Sequence, residues 1–165
     1  MSDQDVAQNA APEAPQHEIA QRRLRVVIAT GERVVYDGHA DALVAPSVSG
    51  EISVGARHAP LLALLDPGEV VIRLADKEQR LAIGGGFLEI REGRAMLMAG
   101  TAERAEEIDI ARAEAARKRA EQALRRFRGR SEGSEEFRRL RRSRARLHVA
   151  GHLVSSRTGT GRSRS

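Results

Sequence analysis

Residues 95–124 read AMLMAGTAERAEEIDIARAEAARKRAEQAL, and within them the spacing of apolar side chains changes. Up to Gly100 they form a short strand-sized run, RAMLMAG. From Asp109, which sits at a helix start, Ala113, Ala116, Ala120, Ala123, Leu124 and Phe127 follow at helical spacing along one face. The chain therefore divides here into an extended part and a helical part.

Toward the N-terminus the strand-sized runs continue. LRVVIAT begins at Leu24, GERVVYDG lies between Gly31 and Gly38, and HADALVAP ends at Pro46. SVSGEISVG turns around Gly50, and EVVIRLA, KEQRLAIGGG and FLEIREG lead back to RAMLMAG. Such runs recur roughly every 8 to 12 residues with Gly, Pro or Asp between them, the spacing of an antiparallel sandwich or barrel. Residues 22–101 are expected to form one all-β domain. Leu61, Leu62, Leu64 and Leu65, ahead of Asp66-Pro67-Gly68, fit a buried strand or a single helical turn equally well. Gly84 to Gly86 fall between two strands, where missing side chains permit positive φ or close backbone approach. A phosphate-cradling loop is the functional reading of such a run, and it is disfavoured here because no lysine and no helix follow the glycines as that mechanism requires.

Toward the C-terminus, GRSEGSEE supplies a turn, with Ser134 an N-cap and Glu135 and Glu136 in the first turn, where the helix dipole favours acids. A second helix, about residues 134–149, carries Phe137, Leu140 and Leu147 on one side and arginine nearly everywhere else. Residues 102–149 are thus expected to be an antiparallel α-helical hairpin. Residues 1–21 are Ala, Gln, Pro and acid without periodicity and read as a disordered leader, and residues 150–165 as a disordered basic tail.

Composition narrows the function classes. The 165 residues include only four aromatics, Tyr36, Phe87, Phe127 and Phe137, so the core must be aliphatic. With no cysteine there is no disulfide framework, thiolate zinc site or cysteine nucleophile, and no metal centre is expected. No run approaches the roughly 18 apolar residues that span a bilayer, and the N-terminus lacks a basic n-region, so the expectation is a protein that meets a membrane only through a partner. Spacing supports no catalytic triad or paired carboxylates. Residues 125–165 hold thirteen arginines against three glutamates, a balance of +10 that leaves −5 for the rest of a chain whose net charge is +5. The basic end suggests an acidic partner.

The first helix is dense in alanine, glutamate, lysine and arginine, which head the helix-propensity ranking. A buried alanine methyl contributes at most about 0.8 kcal/mol, against about 1.5–3 kcal/mol for a leucine or phenylalanine. The hairpin is therefore expected to be internally stable, weakly held from outside, and able to move as a unit.

GERVVYDGHADALVAPSVSGEISV, RHAPLLALLDPG, GGGFLEIREGRAMLMA and AERAEEIDIARAEAARKRAEQAL resemble the epsilon subunit family of the bacterial F-type ATP synthase, in the same order and at the usual spacing. The resemblance covers residues 22–127, and the second helix by length and position. Its most specific pieces are His58-Ala59-Pro60-Leu61-Leu62 and Gly85-Gly86-Phe87-Leu88-Glu89. It implies a sandwich of about ten strands followed by the hairpin, and a non-catalytic subunit of the rotor stalk at the cytoplasmic side of the cell membrane. The sandwich would dock on the gamma subunit and c ring, coupling proton flow to rotation, with His58 at the gamma contact. The extended hairpin would reach the alpha and beta subunits and inhibit ATP hydrolysis, its arginines facing an acidic segment of beta.

Some members of that family bind regulatory ATP at the folded hairpin through an Ile/Leu-Asp-x-x-Arg-Ala motif, which Ile108, Asp109, Arg112 and Ala113 match. The resemblance then assigns the accompanying acid and arginines to Glu103, Arg119, Arg142 and Arg146. Arginine suits a triphosphate because its planar fork donates two parallel charge-assisted hydrogen bonds. Val54-Gly55-Ala56-Arg57 stands where the family usually has Leu-Pro or Tyr-Pro, and both chain ends are extra.

Plainer readings stand beside these. Asp109 and Arg112 also fit a capping acid with an i, i+3 ion pair, and His58 a satisfied loop histidine. The rival function is an arginine-rich nucleic-acid-binding protein. It is opposed by an acidic β domain without clustered aromatics for base stacking, so no nucleic acid is expected as a partner.

Overall fold

The computed structural model describes residues 23–126 and 134–158, with side chains to His152. The expected leader, the turn between the helices with Phe127, and residues 159–165 lie outside the described residues.

Eight strands come first: β1 Leu24–Ala29, β2 Val34–Ala40, β3 Ala42–Ser47, β4 Gly50–Val54, β5 Leu61–Leu74, β6 Lys77–Arg91, β7 Arg94–Ala99 and β8 Ala102–Arg104. A single turn of 3-10 helix, Ala105–Glu107, leads to α1 Ile110–Arg126 and α2 Glu135–Thr158. The strands are ordered β2-β1-β7-β6-β5-β3-β4, with β8 added on β6. All pairs are antiparallel except β1 with β7, which runs parallel.

Two strands turn this sheet into a sandwich. β5 and β6 pair without a register break from Leu61↔Ile90 to Leu74↔Lys77. Halfway along, the face that looks into the core changes: β6 contributes Leu81 and Ile83, then Leu88 and Ile90, while β5 contributes Leu65, then Val70 and Ile72. Side chains alternate with period two, so a switch from odd to even positions marks a corner. The corner lies at Gly84–Gly86 opposite Leu65–Pro67. One end of the ribbon pairs with β7, the other with β3 and β8. Each of the two long strands thus serves both layers, which is why eight strands stand where about ten were expected.

The glycines make the corner possible. Gly85 has φ +90, and a Cβ on Gly86 would lie 2.0 Å from the Met98 carbonyl oxygen. The glycine run is therefore inside one strand and not between two, and Asp66-Pro67-Gly68 bends β5 without ending it. Leu61–Leu65 is strand, which decides between the two readings of that run. β3 runs one residue beyond Pro46, whose missing N–H falls where pairing with β5 is interrupted.

The core is aliphatic, with Leu24, Ile28, Leu43, Leu81, Ile83, Leu88, Ile90 and Leu97 fully buried. Strand pairing continues to Arg104, so residues 102–104, expected to belong to the helical half, are strand. α2 is longer than the expected 134–149 and passes through Gly151 to Thr158, so residues 150–158, read from sequence as disordered tail, are helical.

Candidate functional site: an apolar strip, a loosely held hairpin and the cleft within it

On the outer face of the first layer, Leu64, Phe87 and Met98 are successive cross-strand partners on β5, β6 and β7. They are 49%, 57% and 62% exposed, and Leu62 beside them is 73% exposed. Their neighbours along each strand point inward, so the alternation that fills the core also pushes a continuous apolar strip into solvent. A concave region of about 670 Å³ borders the strip, and Arg138 and Arg141 of α2 form its far side. A continuous exposed strip of this kind marks an interaction surface. His58 lies in the loop entering β5, where its backbone N–H donates to Gly55 O and its Nδ1 lies 2.8 Å from Ala59 O.

The hairpin rests on the other layer. α2 lies on β6 through a small-residue cluster of Ala82, Ile108, Ala145, Val149 and Ala150. α1 buries only Ala113 and Ala120, and it packs along α2. Alanines are the most numerous residues in both contacts, with Ile108 and Val149 the larger side chains buried against the sandwich, so apolar burial holds the helices modestly. Ion pairs do the rest. Arg141 Nη1 lies 2.6 Å from Asp66 Oδ2 at the β5 bend, and Arg146 grips Glu103 of β8 through two nitrogens at 2.5–3.0 Å. Arg142 binds Glu135 at 2.7 Å, while Arg138 and Arg139 also reach Glu135, and Arg144 reaches Glu121. Each of the six arginines between residues 138 and 146 thus has an acidic partner. Such half-exposed pairs are worth about 0–1 kcal/mol each and are exchanged easily for an outside partner. Three of the six, Arg138, Arg139 and Arg142, share Glu135, so this stretch of α2 keeps a net positive charge.

The motif residues occupy distinct places. Asp109 caps α1, accepting the Arg112 backbone N–H at 2.9 Å. Ile108 is buried against α2, and Ala113 is one of the two buried alanines of α1. The Arg112 side chain is exposed and has no ion pair with Asp109 among the described residues, so the capping reading of Asp109 holds and the i, i+3 pair does not form. Arg119, Arg142 and Arg146 come together, with Arg139, Glu136 and Ala116, Ala120 and Ala123 of α1, around a cleft of about 370 Å³ between the helices. Glu103 joins them through Arg146. Asp109, Arg112 and Ala113 do not line this cleft.

Two features went unread in the sequence. The outward positions Leu62, Leu64, Phe87 and Met98 could have been found from strand alternation alone. Asp66, the anchor of Arg141, gave no signal, because the pairing spans 75 residues.

Comparison with known proteins agrees with this arrangement. The β-sandwich domain of the ATP synthase delta/epsilon chain matches residues 23–105, and the long α-helix domain of the same chain matches residues 106–151. The ATP synthase epsilon chain of Moorella thermoacetica is 43% identical over 134 residues, covering 79% of this chain and 98% of that one. The epsilon chain of Herpetosiphon aurantiacus is 42% identical over 127 residues, covering 77% and 93%. Among solved structures, a chain of the Euglena gracilis mitochondrial ATP synthase superposes with a TM-score of 0.57 at 18% identity, covering 94% of this chain and 90% of that one, and shares the fold. With the sandwich matched over residues 23–105 and the helical pair over residues 106–151, in that order, this chain belongs to the ATP synthase delta/epsilon family, among the epsilon chains of bacterial F-type ATP synthases.

Proposed function

We propose that the chain works in the central rotor stalk of a proton-translocating ATP synthase as a mechanical coupler with a detachable inhibitory arm. It performs no bond chemistry. The sandwich docks through Leu62, Leu64, Phe87 and Met98, with His58 nearby, on gamma and the c ring, holding the chain at the cytoplasmic side of the cell membrane. No helix among the described residues is long and apolar enough to cross a membrane, in keeping with attachment through partners. The hairpin leaves the sandwich to reach the alpha and beta subunits and oppose hydrolysis.

The observation that carries this reading is the manner in which the hairpin is attached. It is held by a small apolar cluster, three alanines with Ile108 and Val149, and by exchangeable ion pairs, so departure exposes a limited apolar surface, and the freed arginines would gain an acidic partner on beta. In the folded state, ATP occupies the cleft between the helices, its phosphates taken by Arg119, Arg142 and Arg146. Bound ATP would favour the folded form by mass action.

The test is a complex reconstituted with residues 1–107 alone. It should assemble and hydrolyse ATP faster than the complex with the full chain. Equal rates would show that the hairpin is not an inhibitor. Calorimetry of the isolated chain with ATP, compared with Arg142→Ala, tests the nucleotide separately; no heat from the unaltered chain would remove ATP from the scheme.

A further inference from the structure

We propose that Glu69, His148 and His152 form a divalent-metal site, suited to Zn²⁺, that joins α2 to the sandwich. His148 and His152 are one helical turn apart, so both imidazoles leave the same face of α2. Glu69 on β5 meets them from below. His148 Nε2 and His152 Nε2 lie 3.2 Å apart, Glu69 Oε2 lies 3.4 Å from His148 Nε2, and Glu69 Oε1 lies 3.9 Å from His152 Nε2.

These separations match what a metal needs. Ligand atoms about 2.0–2.1 Å from a tetrahedral zinc are about 3.3–3.4 Å from one another. The edge between the two imidazoles and the edge from Glu69 Oε2 to His148 lie within about 0.2 Å of that length, while Glu69 approaches His152 through its other oxygen at 3.9 Å, so a rotation of the carboxylate has to bring one oxygen to both rings. Two histidines and one glutamate are a known zinc donor set, with a fourth position left for water.

Glu69 carries an independent sign. Its Oε1 is shielded from solvent and has no hydrogen-bond partner among the described residues, whereas its Oε2 is 3.1 Å from Arg80 Nη1. An unsatisfied buried carboxylate oxygen is costly, and this one lies 3.9 Å from His152 Nε2. A cation bound there supplies its missing partner. Arg80 stays paired with Oε2 and with Glu78, fixing the carboxylate's orientation as a supporting residue does in metal sites.

The site spans the contact between α2 and β5, so a bound ion would pin the hairpin to the sandwich. That consequence rests on the detachable hairpin proposed above, but the site itself does not. The isolated full-length chain, stripped by chelation and titrated with Zn²⁺ near neutral pH, should bind one ion. Affinity should fall about tenfold or more in Glu69→Gln and in His148→Ala. Zn²⁺ should raise the Tm of the unaltered chain and not of Glu69→Gln, and Co²⁺ should give the strong visible absorption of a four-coordinate site that Glu69→Gln loses. Circular dichroism identifies variants that fold. An absence of Zn²⁺ binding, or binding unchanged in Glu69→Gln or in the double His148→Ala/His152→Ala variant, would overturn the site. Either outcome leaves the hydrolysis experiment with residues 1–107 untouched.

Discussion

Arg146 of α2 holds Glu103 of β8 by two parallel contacts, Nε and Nη2 each within 3.0 Å of the carboxylate. The pair links the end of the sandwich to the middle of the returning helix, and it is part-buried. Charge-assisted bidentate bonds exceed ordinary surface pairs, but solvent still screens this one. Glu103→Gln should loosen the hairpin by about 1 kcal/mol and leave the sandwich's own stability unchanged. Hydrogen exchange should show α2 amides opening roughly five times more often, with β1 and β7 unaffected. Equal acceleration in both places would mean that the hairpin and the sandwich do not separate.

The corner in β5 and β6 depends on Gly86. A methyl there meets the Met98 carbonyl and the Ala99 Cα at 2.0 and 2.9 Å, so backbone and not a flexible side chain has to move. Gly86→Ala should destabilise the sandwich by about 1–3 kcal/mol or more in urea unfolding. Gly31→Ala, where nothing lies within 4 Å, should be close to neutral.

The apolar strip predicts a split between stability and assembly. Phe87→Ser with Met98→Ser removes exposed apolar area without opening a cavity, because both side chains are more than half in solvent. Unfolding stability should stay within about 0.5 kcal/mol of the original. Co-purification with gamma and the c ring should fall sharply.

How much of this was legible in the sequence depends on the range of the interaction. Local signals were readable: the change of period after Gly100, Asp109 as a helix cap, and Ser134 ahead of Glu135 and Glu136, where Ser134 Oγ accepts the Phe137 N–H at 3.3 Å. Strand ends at the corner were not. Pro67 and Gly84–Gly86 look like turn residues whether the chain reverses or only bends, and the register of a partner strand decides. The end of α2 is not marked in the sequence, because Gly151 costs a helix only about 1 kcal/mol and the helix runs through it to Thr158. In the candidate site, the arginines were placed by family spacing, and Arg119, Arg142 and Arg146 do meet. The spacing of His148 and His152 was visible, but their meeting with Glu69 depends on tertiary packing.

Acid should loosen the hairpin entry before it affects the core. The Arg104 backbone N–H, with Arg33 beside it, holds the Glu107 carboxyl below its ordinary value of 4.5, and Arg142 lowers that of Glu135 in the same way. A carboxylate lowered on folding stabilises the folded state above its ordinary value, and that contribution is lost as pH falls through the lowered one. Thermal stability should therefore be flat from neutral pH to about 5 and decline below about 4.5. Glu107→Gln should show a shallower decline, and an equal slope would remove Glu107 from the explanation.

The central claim is that the hairpin leaves the sandwich as a unit. The chain has no cysteine, so two introduced ones can carry spin labels alone. Gly151→Cys on α2, where a Cβ meets nothing within 4 Å, and Asp76→Cys at the exposed β5–β6 turn report the distance between hairpin and sandwich. In the assembled ATP synthase, two distance populations should appear, with ATP enriching the short one. A single short distance that no nucleotide condition changes would contradict the claim.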